Sequence, residues 1–273
     1  MTRLARLRRL GAIYRAKFAT EIAVQFAYRG ALVIWLLGFL LEPTIYLVVW
    51  TTVANSQGGA VGGFTAGEFA GYFIVLMIVN QLTFDWHAFF MEWRVRTGDL
   101  SPMLLRPVHP IHNDVAENLT FKALTFVVLG PAAVILAIAF DAVIEPQPWQ
   151  VVAFIPALVG AMILRFVLEW CVGIAAFWVT KMGAITQAWF VMVLFLSGQV
   201  APLSLFPQPI QVIASVLPFR WMVSFPVELG LGRLGPQDVA IGFAMQGVWI
   251  VISLVLLRVA WPLGIRRYSA VGA

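Results

Sequence analysis

Residues 31–53 read ALVIWLLGFLLEPTIYLVVWTTV, and Glu42 is the only charged side chain among them. Roughly 20 mostly apolar residues are enough to cross the hydrocarbon core of a bilayer as a helix, so this stretch predicts a membrane span. Five further apolar runs follow it, at residues 69–90, 119–140, 151–179, 184–205 and 239–263. We therefore predict an all-α integral membrane protein with six transmembrane helices, folded as one transmembrane domain over residues 31–268.

The composition agrees with this fold class. Of the 273 residues, 61% are hydrophobic and 11% are charged, whereas soluble domains carry about 25% charged residues. Six spans and their connections use nearly the whole chain, so we expect no sizeable soluble domain. Cys171 is the single cysteine, which excludes an intramolecular disulfide.

The basic residues predict the orientation of the spans. Two connections, residues 54–68 and 141–150, contain no Lys or Arg. The positively charged segments fall in the alternate positions: the amino terminus, residues 92–122, Lys181, Arg266 and Arg267. Because positively charged loops stay in the cytoplasm, we predict six spans with both termini cytoplasmic. Arg220 and Arg233 are the two exceptions to this pattern.

Residues 1–30 combine basic side chains with apolar residues at helical spacing. This pattern predicts an amphipathic helix that lies on the cytoplasmic face of the membrane and contacts its lipid. Residues 269–273 are predicted to form a short cytoplasmic tail. The membrane surface accounts for the positive charge, so we expect no nucleic-acid partner.

Two connections are too long and too patterned to be simple loops. Residues 91–113 are charged at first and apolar further on, and they include Glu92, Arg94, Arg96, Gly98, Asp99, Leu100, Leu104 and Leu105. Residues 200–238 are apolar but interrupted by proline, which breaks continuous helices, so we predict short extracytoplasmic or re-entrant helices there. The residues that mark this segment are Pro202, Pro207, Pro209, Pro218, Phe219 and Arg220.

Ionisable side chains inside the apolar runs include Glu42, Asp85, Arg165 and Glu169. A charge at mid-membrane costs at least about 2.5 kcal/mol unless protein or water surrounds it. Arg165 and Glu169 are four residues apart and share one helical face, which predicts an ion pair. Lining a hydrated path or contacting a polar substrate headgroup is the alternative. Glu42 precedes Pro43, which predicts a bend in the first span.

The sequence lacks known catalytic and cofactor motifs. No G-x-x-x-x-G-K-[ST] loop occurs, so the cradle and lysine that hold nucleotide phosphates are absent. Residues 230–235, GLGRLG, fit G-x-G-x-x-G, but no strand precedes them. His109, His112 and Asp114 are close enough in sequence to suggest a metal site, although Pro110 between the histidines argues against it. No G-x-S-x-G elbow is present. We therefore expect no catalytic residue, bound cofactor or metal in this chain.

Four parts of the sequence carry a resemblance to a known family. They are GDL (98–100) with LLRPV (104–108), LSG (196–198) with PLSLFP (202–207), LPFR (217–220) with SFPV (224–227) and LG (231–232), and the tail RRYSAVG (266–272). The chain resembles the permeases of ABC-2 type transporters, in particular an uncharacterised bacterial subgroup, over nearly its whole length.

The resemblance implies a six-span permease of the type V exporter kind, with an amphipathic amino-terminal helix, a coupling helix between spans two and three, and small extracytoplasmic helices before span six. Such permeases lie in the bacterial inner membrane and pair with a second permease subunit, identical or different. Each docks an ATPase subunit, which binds the ATP and Mg. This chain would then be no enzyme by itself, and residues 92–105 would dock the ATPase.

The low charge of several spans suits an apolar or amphipathic cargo. Two other classes of protein remain as alternatives: a secondary transporter or channel, and a membrane-embedded enzyme or assembly factor. A secondary transporter usually contains paired broken helices, and the sequence indicates only one proline-broken region. A membrane enzyme would show clustered polar catalytic residues, which the sequence does not indicate.

Overall fold

The computed structural model describes residues 3–179 and 181–268, with side chains from residue 11 onward. The predicted tail at 269–273 lies outside the described residues. The α-helices are α1 (Arg3–Ala27), α2 (Arg29–Ser56), α3 (Ala66–Thr83), α4 (His87–Thr97), α5 (Leu100–Leu104), α6 (Ile111–Ala139), α7 (Pro148–Ile174), α8 (Gly183–Leu196), α9 (Gln208–Val216), α10 (Pro218–Met222), α11 (Ser224–Gly230) and α12 (Pro236–Arg267). A two-stranded antiparallel hairpin, β1 (Ala60–Val61) and β2 (Phe64–Thr65), joins α2 to α3.

Five helical segments of the described chain are long and apolar enough to cross a membrane. They are α2, α3 together with α4, α6, α7 with the turn that follows it, and α12, and they contain 28 to 32 residues each. The chain is therefore a mostly helical, multi-pass membrane protein. Helix α1 lies against the start of α6, where the hydroxyl of Tyr14 is 2.8 Å from Nδ1 of His112.

The fifth predicted span is shorter than expected. Residues 184–205 were expected to cross the membrane, but α8 ends at Leu196 and contains 14 residues. Gly198 has a φ of 85°, which takes the chain out of the helix, and its carbonyl accepts a hydrogen bond from the hydroxyl of Tyr72 at 2.7 Å. The apolar residues that follow, such as Ala201 and Leu203, are buried inside the protein. Hydrophobicity alone did not distinguish these core residues from a continuing lipid-facing helix.

Residues 203–230 form a chain of short helices: a 3-10 turn at Leu203–Leu205, then α9, α10 and α11. Proline starts these helices rather than interrupting them, because Pro209 lies in the first turn of α9 and Pro218 opens α10. Phe219, Trp221 and Phe225 are buried in the main hydrophobic core. Helices α10 and α11 therefore pack into the helix bundle, whereas α9 keeps Val212, Ile213 and Val216 exposed.

The bundle has two ends that differ in structure. At the hairpin end, where the β-hairpin and the short helices lie, Nη2 of Arg233 is 2.8 Å from Oε1 of Glu68, and Nε1 of Trp50 donates to the carbonyl of Val200 at 2.9 Å. At the basic end, Oγ of Ser101 lies 2.9 Å from the hydroxyl of Tyr268. The basic end carries α1, the connection around α5 and the end of α12.

Candidate functional site: a broken span with buried charges

The second span is interrupted in its middle. Helix α3 ends at Thr83, helix α4 begins at His87, and Phe84 to Trp86 are not helical. Backbone groups released by such a break must find partners inside the protein, because lipid offers none. Nδ2 of Asn118, from α6, donates to the carbonyl of Phe84 at 3.3 Å and to Oδ1 of Asp85 at 2.7 Å. The side chain of Asn118 therefore stabilises the break.

The sequence predicts one uninterrupted helix over residues 69–90, and the structure corrects this. The break contains neither Gly nor Pro, which are the residues that mark helix ends in a sequence. Instead, Oδ2 of Asp85 accepts a hydrogen bond from the backbone N–H of His87 at 3.3 Å, which satisfies one of the free donors at the start of α4. A single aspartate inside an apolar run gives only a weak signal in the sequence.

Asn118 offers a direct test of this arrangement. Replacing Asn118 by leucine should lower the free energy of unfolding by about 1–3 kcal/mol, because the carbonyl of Phe84 and the carboxylate of Asp85 lose a buried donor. Denaturant unfolding of the purified chain in detergent measures the difference. The control is leucine at the exposed Asn55, with an expected change within about 0.5 kcal/mol. Equal stability of the two variants would contradict the stapling role of Asn118.

On one side of the break lies Arg165, a buried residue of α7. Its Nε is 3.3 Å from Oε1 of Glu169, so the two residues that share a helical face form an ion pair. Its Nη1 also donates to Oδ1 of Asn80 at 2.7 Å and to Oγ1 of Thr83 at 3.2 Å. The guanidinium thus reaches the carboxyl-terminal end of α3, which carries a partial negative charge.

On the other side lies Asp114, a fully buried residue of α6. Nη1 of Arg94 is 2.8 Å from its Oδ1 and 2.9 Å from its Oδ2, and Nε1 of Trp170 donates to Oδ2 at 2.8 Å. The imidazole of His87 contacts Asp85 through Nδ1, and its Nε2 lies 3.9 Å from Oδ1 of Asp114. Helix α4 is therefore tied to α6 and α7 through a buried charge cluster.

The two sides together form a network of charged groups around the break. Four carboxyl groups face three cations and one imidazole, so the formal charges balance to within one unit. The members are Asp85, Asp114, Glu117, Glu169, Arg94, Lys122, Arg165 and His87. Buried charges at membrane depth persist only where opposite charges accompany them, which this arrangement provides.

Of the four intramembrane polar residues predicted from the sequence, three belong to this network and one does not. Asp85, Arg165 and Glu169 are buried at the break. Glu42 is exposed on α2, and Pro43 beside it lies inside that helix.

Sequence reasoning missed several members of the network because residues 91–113 were assigned to a connection and the third span was expected to begin only at residue 119. The signal that could have found them is the spacing of Asp114, Glu117, Asn118 and Lys122. These residues recur at intervals of three and four, which places them on one polar face of α6.

The histidine pair considered for a metal site is separated in the structure. Nδ1 of His112 faces the hydroxyl of Tyr14, whereas the ring of His109 packs against Trp261 with 4.7 Å between the ring centroids. Burial lowers the pKa of His109 below its usual value, and the neighbouring His112 acts in the same direction. The two rings thus serve different contacts.

A different group of residues has the composition of a metal site. Ligand atoms of His87, Asp114 and Glu117 lie within 4.8 Å of one another. Arg94 already holds Asp114, and its Nη2 lies 3.9 Å from Oε2 of Glu117, so a guanidinium occupies the cationic position between these carboxylates. A metal ion would have to displace Arg94. That this chain binds no metal stays a prediction.

The residues of the predicted docking connection divide into buried and exposed groups. Arg94 and Leu100 point inward, and this corrects the expectation that both lie on a docking surface. The carboxylate of Asp99 accepts hydrogen bonds from Trp93 at 3.1 Å and from Thr97 at 2.7 Å, which fixes the turn at the end of α4. The turn itself uses Gly98, whose φ of 83° favours glycine.

What remains exposed at this turn forms a surface that we call the docking corner. Its exposed members are Trp93, Arg96, Asp99 and Leu105, and the half-buried Glu92 lies beside them. Leu105 is 87% exposed, and the side chain of Arg96 is 53% exposed and 3.9 Å from Glu92. The docking corner combines mixed charge with a protruding apolar side chain, which suits contact with another protein.

At the hairpin end, Arg220 and Phe219 differ in their surroundings. Phe219 is buried, whereas Nη2 of Arg220 lies 3.3 Å from Oε2 of Glu228 beside a polar cavity that Gln211 and Arg233 also line. The arginines that departed from the charge pattern of the loops are thus each paired with an acid.

Comparison with known proteins agrees with the resemblance drawn from the sequence. No curated protein matches the chain. The family model described as ABC-2 family transporter protein matches residues 40–272, which include every span from the second onward, the broken helix and the docking corner. The chain therefore belongs to the ABC-2 family and is a transmembrane permease of the ABC transporter class.

Proposed function

We propose that this chain is the permease subunit of an ATP-driven exporter that moves an apolar or amphipathic substrate and is powered by a separate ATPase subunit. Membership of the ABC-2 family supports a transport role. The sequence contains no phosphate-binding loop, so the ATP and Mg are bound by the partner. The chain is then no enzyme by itself.

The observation that carries the proposal is the construction of α4. This helix has the docking corner at its carboxyl-terminal end, and it contacts the buried Asp85 through His87 at its amino-terminal end and the buried Asp114 through Arg94. Because α4 is separated from α3 by the break, a displacement at the docking corner can move α4 without moving the rest of the span. ATP binding and hydrolysis in the partner would thereby open and close the path at the basic end.

The same proposal assigns the orientation and the partners. The basic end faces the cytoplasm, with both termini on that side of a bacterial inner membrane, in keeping with the distribution of Lys and Arg. The amphipathic helix at residues 1–30 lies on that membrane surface, and the short helices of residues 200–238 lie on or re-enter from the opposite side. Helix α8, although short, takes the place of the fifth of six spans.

A second permease subunit, identical or different, completes the transporter. Glu42 favours this assignment, because it is exposed near the middle of α2, where lipid would leave a carboxylate without a partner. Another permease chain can supply that partner.

The docking corner gives the test of the proposed function. Changing Leu105 to Asp, and separately Arg96 to Glu, should leave folded yield unchanged, because both side chains are exposed. Each change should remove the ATPase from the purified complex or uncouple its ATP turnover, since a few contacts dominate most interfaces. Co-purification and ATP hydrolysis are the measurements, and Gln57→Asp, an exposed change at the hairpin end, is the control.

Retained association and normal turnover in both variants would exclude the docking corner as the coupling element. Because the ATPase is cytoplasmic, loss of its association in these variants would place the basic end on the cytoplasmic side. Substrate movement by the chain alone, driven by an ion gradient, would instead support the secondary-transporter alternative, to which a broken helix with buried charges is also suited.

A further inference from the structure

A cavity of about 360 Å³ opens beside the break, between the α1–α2 junction, α4 and α6. Its volume falls within the range of about 300–1,000 Å³ that is usual for sites that bind small molecules. The family match begins at residue 40, so the α1–α2 wall of the cavity lies outside the matched residues.

Aromatic side chains form most of the lining. They include Tyr28, Trp35, Trp86, Phe89, Phe90 and Phe121. The rings of Trp35 and Trp86 meet at 62° with 5.1 Å between their centroids, and Phe84 meets Trp86 at 80° and 4.9 Å. Rings set at such angles expose both their faces and their edges to the cavity. The face of an aromatic ring attracts a cation that lies within about 6 Å of the ring centroid.

One carboxylate completes the lining. Among the described residues around the cavity, Glu117 carries the only carboxylate and neither Lys nor Arg is present. The imidazole of His87 also lines the cavity, and its Nδ1 contacts Asp85. Its nearest cation, Nη2 of Arg94, is 3.9 Å from Oε2, beyond hydrogen-bond distance, and the Glu117 side chain is 32% exposed. Glu117 can therefore face an occupant of the cavity, whereas Asp114 behind it is already held by Arg94.

The cavity opens sideways rather than toward water. Tyr28 is 69% exposed, Trp35 47% and Phe90 39%, on a part of the surface where apolar side chains of α2 are also exposed. Lipid covers such surfaces in a membrane protein, so an occupant enters from within the membrane. It must have an apolar body to reach the site.

We propose that this cavity binds a hydrophobic organic cation, with the aromatic rings around its body and the carboxylate of Glu117 facing its positive charge. An anion of the same shape would meet Glu117 unfavourably, and a neutral molecule would gain nothing from the charge of Glu117. The inference rests on the proposed transport function and names the substrate class for it.

The test uses two ions of the same shape and opposite charge, tetraphenylphosphonium and tetraphenylborate. The chain is reconstituted without ATPase in phosphatidylcholine nanodiscs, and saturable binding above empty nanodiscs is measured by equilibrium dialysis. Tetraphenylphosphonium should bind and tetraphenylborate should not. Binding in the presence of choline headgroups shows that the site prefers a free cation to lipid.

Glu117→Gln, which keeps the shape of the side chain, should weaken tetraphenylphosphonium binding by about tenfold or more. Glu145→Gln, which removes an exposed acid at the hairpin end, should have no effect. The thermal midpoint of each variant reports folding. If Glu117→Gln does not fold, Trp35→Leu decides, with an expected loss of several-fold in affinity.

Three results would overturn the proposal. They are no saturable binding of tetraphenylphosphonium, equal binding of the two ions, and an affinity that stays unchanged in Glu117→Gln or, if that variant does not fold, in Trp35→Leu. Loss of the binding site with intact ATPase association would leave the transport function standing and refute only the substrate class. Cation binding by a chain that never associates with an ATPase would refute the transport function instead.

Discussion

Replacing Arg165 by methionine should lower the free energy of unfolding by about 3–5 kcal/mol, because Glu169 then remains buried without its counter-charge. The same change removes the donor to Asn80 and Thr83 at the end of α3. Thermal and denaturant unfolding in detergent, together with folded yield, measure the effect.

The double variant Arg165→Met with Glu169→Leu should be measured beside the single variant. Replacing both members of a buried ion pair by apolar side chains is often neutral, so the double variant should be more stable than Arg165→Met alone. If the free energy of unfolding of Arg165→Met lies within about 1 kcal/mol of that of the unchanged chain, the ion pair contributes little to stability. A double variant less stable than the single one would show that Glu169 has another buried partner.

The second large effect on stability is expected at Arg94, and the neighbouring Arg96 is its control. They lie two residues apart on α4, but Arg94 contacts the fully buried Asp114, whereas Arg96 is exposed. Changing Arg94 to methionine should cost about 3–5 kcal/mol, because it leaves Asp114 without its counter-charge. The same change at Arg96 should alter stability by no more than about 1 kcal/mol, as is usual for exposed ion pairs.

The two arginine variants should also differ in how they affect association with the ATPase. Arg96→Met should weaken association with the ATPase while the chain stays folded, and Arg94→Met should reduce the folded chain itself. Unfolding and co-purification, measured on the same preparations, distinguish these results. Equal loss of stability in both variants would contradict the division of α4 into a buried and an exposed side.

The sequence predicted those parts of the fold that depend on hydrophobic length. The segments around α2, α6, α7 and α12 were found because a long apolar run, in a protein with 11% charged residues, is typical of a helix that crosses a membrane. The ion pair of Arg165 and Glu169 was also accessible, since it depends only on helical spacing.

The sequence could not predict features that depend on tertiary contacts. The break at Phe84 to Trp86 is stabilised by Asn118, which is more than 30 residues away along the chain. The early end of α8 depends on Tyr72 holding the carbonyl of Gly198. Arg94 and Arg96 look alike in the sequence, and only the position of Asp114 in α6 distinguishes the buried arginine from the exposed one.

The break in the second span has a mechanical consequence that follows from its position. At about 1.5 Å per residue, α3 is about 27 Å long and α4 about 16 Å, so the joint divides the span into a long arm and a short one. The long arm is buried among the other helices, whereas the short arm, which charged side chains tie to α6 and α7, ends at the docking corner. A rotation of about 10° at the joint moves the tip of a 16 Å arm by about 3 Å. Under the proposed function, small movements of a docked ATPase would tilt the short arm, and the hairpin end of the bundle would stay still while the basic end opens.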